Sequence, residues 1–409
     1  MAQEYKNIAI IGAGASGCLC AYFLLNNTTP FQPSPSKERV SITVFDKGSP
    51  LRTLLPTGGG RCNLAHAEFE PKELAKNYPR GEKFLYSIFS KYSTADTIET
   101  FEEMGIKTYI QENGRIFPES NSAKDVREKV LNNLKKVKFV KEEVVKITPI
   151  DGGFRVKTVA RQNIDTSPQP SPQGEGAISY YFFTDVILAI GGHSGMNLIK
   201  DLRIKVVEQK PSLVGLNTKE SFKNLSGTVI KNVSYEGFKG DILFTHFGIS
   251  GPLVYTISSI KAFDKFPYKL SIDLAPELVD LQKDLNIYPH KEIKNILNKY
   301  LPQKIVSFIL QNIISENTKA HQINGKTRDL ILERIHYFEA EIIETNKGEE
   351  TVSAGGIDLN ELNPKTMELK SFPNLYAIGE ILNIDGLCGG YNLQNAWSTA
   401  YVCAKAINL

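Results

Sequence analysis

The stretch Asn7-Ile8-Ala9-Ile10-Ile11-Gly12-Ala13-Gly14-Ala15-Ser16-Gly17 decides the fold. A short apolar run ending in glycine reads as a strand of a parallel sheet, buried on both faces. Gly12–Gly17 then matches G-x-G-x-x-G: the first glycine permits a tight turn, the second lets backbone approach a pyrophosphate, and the third lets a helix pack on the strand. Ser16–Asn26 carries apolar residues at helical spacing. The start of that helix offers free N–H groups and a partial positive charge to phosphates. Val40–Phe45 is a second strand. Strand, glycine turn, helix and strand form a βαβ unit, the context in which the motif signals dinucleotide binding. Gly12, Ala13, Gly14, Ser16 and Gly17 are its cofactor-binding candidates.

An acid is expected at the end of the second strand, to hold a ribose hydroxyl. Asp46 stands there, followed by Lys47. It lies 32 residues past Gly14, against about 20 in the usual spacing. The interval contains the proline-rich segment Thr28–Arg39, and removing it restores the spacing. An acid here fits the free 2′-hydroxyl of FAD or NAD and disfavours NADP.

Two further elements favour FAD. Thr57-Gly58-Gly59-Gly60-Arg61-Cys62-Asn63 is a second glycine-rich loop, able to lie flat against a planar ligand. Its candidates are Gly59, Gly60, Arg61, Cys62 and Asn63, with Arg61 placed to stabilise negative charge on a reduced flavin or a phosphate. Near the other end, Leu375–Glu380 reads as a buried strand ending in Gly379-Glu380, and Gly389–Gln394 opens the last helix. Glu380 can bind ribityl hydroxyls. The helix start at Gly390, Tyr391, Asn392 and Leu393 can face the pyrimidine end of a flavin. Val144 and Gly191, at strands between these motifs, complete the cofactor set.

The composition excludes several classes. The 409 residues suggest two to three domains. With 41% hydrophobic and 23% charged residues, the chain has an ordinary globular composition, and a net charge of +3 is too mild to point to a nucleic-acid or membrane partner and does not exclude one. Cys18, Cys20, Cys62, Cys388 and Cys403 include no C-x-x-C pair, so neither a disulfide framework nor structural zinc is expected. The six histidines lack metal-ligand spacing, and no metal is expected. With no signal peptide ahead of the first strand and no apolar run of about 18 residues, a cytoplasmic, non-membrane protein is expected.

Along the chain, Ser122–Lys136 reads as an amphipathic helix. Strands are expected near Phe139–Ile147, Phe154–Val159, Tyr180–Phe183 and Asp185–Ile190. Thr166–Gly176 is low-complexity and, like Thr28–Arg39, reads as a surface loop. From Ser194 to Glu344 the texture changes. Strand-like pieces (Val229–Tyr235, Asp241–Phe244, Lys269–Leu274) precede a helical stretch, His290–Asn317. The expected organisation is a first part at 1–193, an insert at 194–344 with its helical part at about 276–330, and a second part at 345–409. Ser250 is expected to cap a helix that begins at Pro252. His246, just before Gly248, is a candidate proton donor or substrate-orienting group. Cys62 is a candidate for chemistry near the flavin, although packing suits it better without a resolving partner.

The chain resembles the BaiN-like (YhiN- or RdsA-like) bacterial flavoproteins over nearly its whole length. The resemblance rests on Ile11–Gly17, Thr57–Leu64, Gly114–Val126, Leu243–Pro252, Ala354–Lys370 and Asn374–Ala400. It implies an α/β, Rossmann-type (glutathione-reductase-like) FAD domain with an inserted barrel-like β domain and a helical subdomain. It also implies noncovalent FAD, extended, with its ring between the Gly58–Asn63 loop and the insert. Ile190 stands where the family usually has Thr, the segment His193–Leu202 is short, and Cys388 replaces a small or hydroxyl residue. The activity implied is hydride transfer from FAD to an activated C=C bond, with NAD(P)H as a transient donor. The acceptor is a small molecule or, in a second reading, a uridine of ribosomal RNA. The lysines of Lys283–Lys304 bear on that second reading, but a solvated helix face explains them better. A noncatalytic flavin redox sensor is the third reading. Oligomeric state is not legible.

Overall fold

The computed structural model describes residues 6–26, 40–160, 177–192, 195–346, 348 and 352–407. Both segments read as surface loops, 28–39 and 166–176, lie outside the described residues. The chain divides into two compact units, 1–209 with 353–409, and 210–352.

The first unit is built on a five-stranded parallel sheet. Its order is Leu375–Ala377, Asp185–Leu188, Lys6–Ile11, Val40–Phe45, Lys138–Val140. Ile10 stands between Val44 and Ile187 in the register. Ile8, Ile10, Val44 and Ile187 are fully buried, which is why these strands read as continuous apolar runs. The helices Ala15–Asn26 and Tyr391–Ala406 pack against each other, with Phe23 edge-on to Tyr401 at 5.2 Å.

A three-stranded antiparallel meander, Glu143–Ile150, Gly153–Val159 and Ile178–Phe183, also packs on the parallel sheet. Its inner face meets the sheet through Tyr181 and Phe183, whose rings lie 5.1 and 5.8 Å from that of Phe45. The single strand expected near Phe139–Ile147 is therefore two. Lys138–Val140 closes the parallel sheet, and Glu143–Ile150 opens the meander. The polar pair Lys141-Glu142 lets the chain leave one sheet for the other. The expected helix at Ser122–Lys136 runs Ala123–Asn132, with the Ser122 side chain accepting from the Asp125 N–H.

The second unit holds a six-stranded antiparallel sheet. Its order is Val229–Tyr235, Phe238–Phe244, Gly248–Ser250, Leu216–Thr218, Phe338–Thr345, Tyr268–Ile272. Its two ends meet. The Ser234 N–H donates to Asp273 O (2.9 Å) and the Asp273 N–H to Ser234 O (3.0 Å), which gives the sheet its barrel-like closure. Phe222, Phe244 and Phe338 pack inside it. Three short helices follow one another here, Leu281–Ile287, Ile293–Leu297 and Gln303–Leu310, followed by Gly325–His336; the second and third of them divide the stretch expected as one helical run at His290–Asn317. Pro302 stands at the N-cap of the third, because proline ends a preceding helix and suits a new start. The unit starts at Lys210 and ends at Val352 rather than at Ser194 and Glu344. Helix Met196–Asp201, with Leu198 and Ile199 buried, belongs to the first unit. The strand Phe338–Thr345 is shared in register with Tyr268–Ile272 and holds the return point back.

Candidate functional site

The glycine turn after the first strand separates glycines the protein needs from one it does not. A Cβ on Gly12 (φ +110°) would lie 2.2 Å from Ala189 O, and one on Gly17 2.0 Å from Gly12 O. Those two are fixed by backbone packing. A Cβ on Gly14 would meet nothing closer than Thr53 Oγ1 at 3.9 Å. The surface at Gly14 is open, and it sits where the helix Ala15–Asn26 begins. That is a cradle a side chain would fill, and it suits a phosphate approaching the helix N-terminus. Ala13 is buried, and Ser16 Oγ would lie 2.6 Å from a Cβ on Gly379, which ties this turn to the last part of the chain.

Asp46 is engaged by backbone. The Ala13 N–H donates to Oδ2 (2.7 Å) and the Gly48 N–H to Oδ1 (2.6 Å). Each carboxylate oxygen keeps acceptor capacity for a ribose hydroxyl. Lys47 is half-exposed and 4.0 Å from the Glu143 carboxylate. Val144, beside it, is buried in the meander opposite Thr158.

In the second glycine loop, Gly58, Gly59 and Gly60 have φ of +58°, +68° and +83°. A Cβ on Gly58 would collide with Asn63 N (2.8 Å) and Phe117, whereas one on Gly59 meets nothing within 4 Å. Arg61 folds back on this loop: its Nε–H donates to Gly58 O (3.2 Å), and the guanidinium lies 4.3 Å above the Phe117 ring. Cys62 is fully buried, and burial pushes its thiol up to about 12, so it is a protonated, inaccessible group. Asn63 is 9% exposed, and its buried Oδ1 has no hydrogen-bond partner. An orphaned buried acceptor costs stability unless a ligand donor meets it.

The late motif lies in the same unit. Gly191 (φ +73°) has open space where a side chain would stand. The Gly379 N–H donates to Thr399 Oγ1 (3.0 Å), and Glu380 Oε1 accepts from the Ser353 N–H (2.9 Å). Gly390 caps the last helix with φ +101°; a Cβ there would lie 2.5 Å from Ala65 O. Tyr391 stacks on His66 (4.8 Å between centroids), the Asn392 side chain bonds both N–H and O of Gly386 (2.9 Å each), and Leu393 is half-buried. The Trp397 indole N–H donates to Leu64 O (2.9 Å) and fixes this helix to the segment after Cys62.

Sequence reasoning missed His66 and Arg115, and noted Cys388 only as unusual. Strands Ala65–His66 and Arg115–Pro118 pair antiparallel with His66 opposite Arg115. His66 Nδ1–H donates to Gly389 O (3.2 Å), and Arg115 Nη2–H to Cys388 Sγ (3.8 Å). Burial, foremost, lowers the His66 pKa, and the nearby Arg115 charge adds to this against the Gly389 bond. Burial raises the Cys388 thiol, with Arg115 opposing. Nothing local marks these residues; the signal available was that Arg115 and Cys388 fall in two of the segments that carry the family resemblance, Gly114–Val126 and Asn374–Ala400, and that His66 follows a third, Thr57–Leu64.

His246 belongs to the second unit, exposed in the turn Thr245–Phe247 beside the Phe247 ring (4.0 Å). Ser250 does not cap the following helix. Gly251 is the N-cap (φ +102°) with Pro252 at the first position, because Ser250 is the last residue of its strand and its Oγ–H donates to the Tyr255 hydroxyl (3.3 Å). Of the expected lysine cluster, Lys294 pairs with Glu292 and Lys299 with Asp284. Among the described residues no group of His, Cys, Asp or Glu is placed to hold a metal ion, and no helix is long and apolar enough to cross a membrane.

Fold and site together define a flavoprotein oxidoreductase with a Rossmann-type FAD-binding domain. The chain belongs to the family described as HI0933-like protein Rossmann domain, whose model matches residues 6–406. It is 31% identical, over 100% of both chains, to a ribosomal RNA dihydrouridine synthase of Haemophilus influenzae. It is 30% identical, over 98% of each chain, to a protein of the same name from Escherichia coli. A 3-dehydro-bile acid delta(4,6)-reductase of Clostridium scindens is 26% identical, again over 98% of each chain.

Proposed function

We propose that this protein reduces an activated C=C bond, and that its acceptor is a uridine of ribosomal RNA. The observation that carries the flavin part is the open face at Gly14, a glycine that no packing in the protein requires. The acceptor is supported by full-length likeness to two ribosomal RNA dihydrouridine synthases. The bile-acid reductase supports the same reaction type on a different acceptor, since a uracil ring and an enone both present C=C conjugated to C=O.

FAD would be held noncovalently by Gly12–Gly17 and Asp46 at its adenosine and phosphate end, and by Gly59–Asn63, Glu380 and Gly390–Leu393 toward its ring. When bound, it supplies the hydride. The orphaned Asn63 Oδ1 offers an acceptor to a ligand donor. Arg61, which carries its charge at any working pH, offsets negative charge next to the glycine loop. Cys62 serves packing. Arg115 and Cys388 form a cation–thiol pair. The thiol, raised by burial, is protonated at neutral pH and can give a proton to the carbon that does not receive hydride. His246, an exposed imidazole of the second unit, is suited to proton donation or to holding substrate. NAD(P)H is proposed as the electron source, visiting transiently, since the chain carries one complete nucleotide fingerprint. A cytoplasmic location follows from this acceptor.

Nucleoside mass spectrometry of ribosomal RNA from a deletion strain and its parent tests the acceptor. Loss of one dihydrouridine is expected; unchanged RNA, together with turnover of a steroid enone, would transfer the proposal to small molecules. Heat-released flavin identified as FMN alone would overturn the cofactor assignment.

A further inference from the structure

The meander of the first unit has an outer face of unusual composition. One-sided antiparallel sheets normally turn polar residues outward. Here the strand Ile178–Phe183 turns Ile178, Tyr180 and Phe182 outward, at 48%, 55% and 60% exposure. The inward residues Val156, Tyr181 and Phe183 account for packing on the parallel sheet, so the fold does not need the outward aromatics. The register sets Lys157 opposite Tyr180, Arg155 opposite Phe182, and Lys146 opposite Lys157. The Arg155 guanidinium lies 6.0 Å from the Tyr180 ring centroid.

All three charges at these outward positions are positive. No ion pair ties Lys146, Arg155 or Lys157 to an acid among the described residues. Of the described acids of the meander, Asp151 sits in the hairpin turn, and Glu143 lies on the same face opposite Val159, with the Lys47 ammonium 4.0 Å from its carboxylate. Glu142 is engaged with Thr158 and Tyr181. Exposed aromatic rings interleaved with cations on a sheet face provide stacking surfaces for bases beside charges for phosphates. Alternate residues on one strand stand ~7 Å apart, which separates the two rings enough to serve different bases.

We propose that this face, centred on Tyr180 and Phe182 with Arg155, Lys157 and Lys146 around them, is a docking surface for single-stranded RNA. The inference rests on the RNA reading above and names where the unpaired strand is held.

The test uses the full-length FAD-loaded protein and a fluorescein-labelled 12-nucleotide oligouridine, followed by anisotropy. The wild type is expected to bind in a salt-sensitive way. Tyr180→Ala and Phe182→Ala are each expected to weaken binding about 5- to 150-fold, the range for loss of one base-stacking side chain. Arg155→Gln with Lys157→Gln is expected to flatten the slope of log affinity against log salt by about 1.4, at roughly 0.7 per phosphate contact. These two substitutions are of outward side chains and serve if an aromatic variant loses flavin or melts early. No binding by the wild type, or unchanged affinity and slope in all variants, overturns the proposal. So does a concentration-dependent dimer that Phe182→Ala dissociates, which would assign the face to a second copy. Complementation separates this from the acceptor reading. If the doubly substituted Tyr180→Ala, Phe182→Ala protein restores dihydrouridine in the deletion strain as well as the wild type does, the surface is refuted and the reaction stands. If the deletion strain lacks no dihydrouridine, the reaction reading fails, and the binding data alone judge the surface.

Discussion

Replacing Gly14 and Gly12 separately by alanine sets cofactor binding against folding at two positions of one turn. Gly14→Ala places a methyl where the nearest atom is 3.9 Å away, at a backbone conformation any residue adopts. The apoprotein should be unharmed or gain about 0.4–1 kcal/mol, through the lower entropy of the unfolded chain. Gly12→Ala places a methyl 2.2 Å from Ala189 O at φ +110°, so the backbone must shift, and a loss of about 1–3 kcal/mol or more is expected. The cofactor should respond in the opposite order of cause. A methyl on Gly14 stands off the pyrophosphate from the helix start. Losing even one charge-assisted backbone hydrogen bond, about 1.5–3 kcal/mol, raises the FAD dissociation constant about 10- to 150-fold. Stripping the flavin, titrating FAD back by fluorescence quenching and melting both apoproteins measures the two effects independently. Wild-type affinity in Gly14→Ala, or an apoprotein destabilised as much as Gly12→Ala, would refute the placement of the phosphates.

Arg61→Ala should lower the flavin midpoint potential more than it weakens FAD binding, because its charge matters more to the electron-rich ring than to the oxidised one. Loss of its contact with Phe117 should cost the apoprotein only about 0.5–1 kcal/mol, and lost FAD with an unmoved potential would place the residue at the pyrophosphate instead. His66 has a lowered folded-state pKa, so the unfolded chain takes up its proton first as pH falls through about 6.5. The stability from this neutral imidazole is complete above that pH and erodes below it; melting from pH 7.5 to 5 should be less acid-sensitive in His66→Gln, and parallel curves would contradict the burial argument. Iodoacetamide on the native protein at pH 8 should label Cys388 alone, since the other four thiols are buried; rapid labelling of Cys62, found by peptide mapping, would return it to the list of chemical groups.

Elements whose chemistry is local were legible in the chain. Lys6–Ile11, Ala15–Asn26 and Val40–Phe45 follow from apolar runs, helical spacing and a glycine turn, and each forms within a residue of its expected bounds. The glycines at 12, 14 and 17 could be named from spacing, but only packing shows that Gly12 and Gly17 are required by the protein itself and that Gly14 is not, which leaves its open face for the proposed phosphates. The division of 139–147 between two sheets was illegible, because periodicity reports that a residue is extended and not which neighbour it pairs with. The helical run of the second unit was read too long because an apolar pattern continues across Pro302, which divides it. The group of His66, Arg115 and Cys388 is the clearest product of tertiary structure. No spacing rule joins residues so far apart in sequence; the antiparallel pairing of Ala65–His66 with Arg115–Pro118 and the close approach of Gly390 to Ala65 do. Short-range sterics and burial patterns are written along the chain, whereas a polar cluster depends on which strands pair, and that is settled only when the whole core forms.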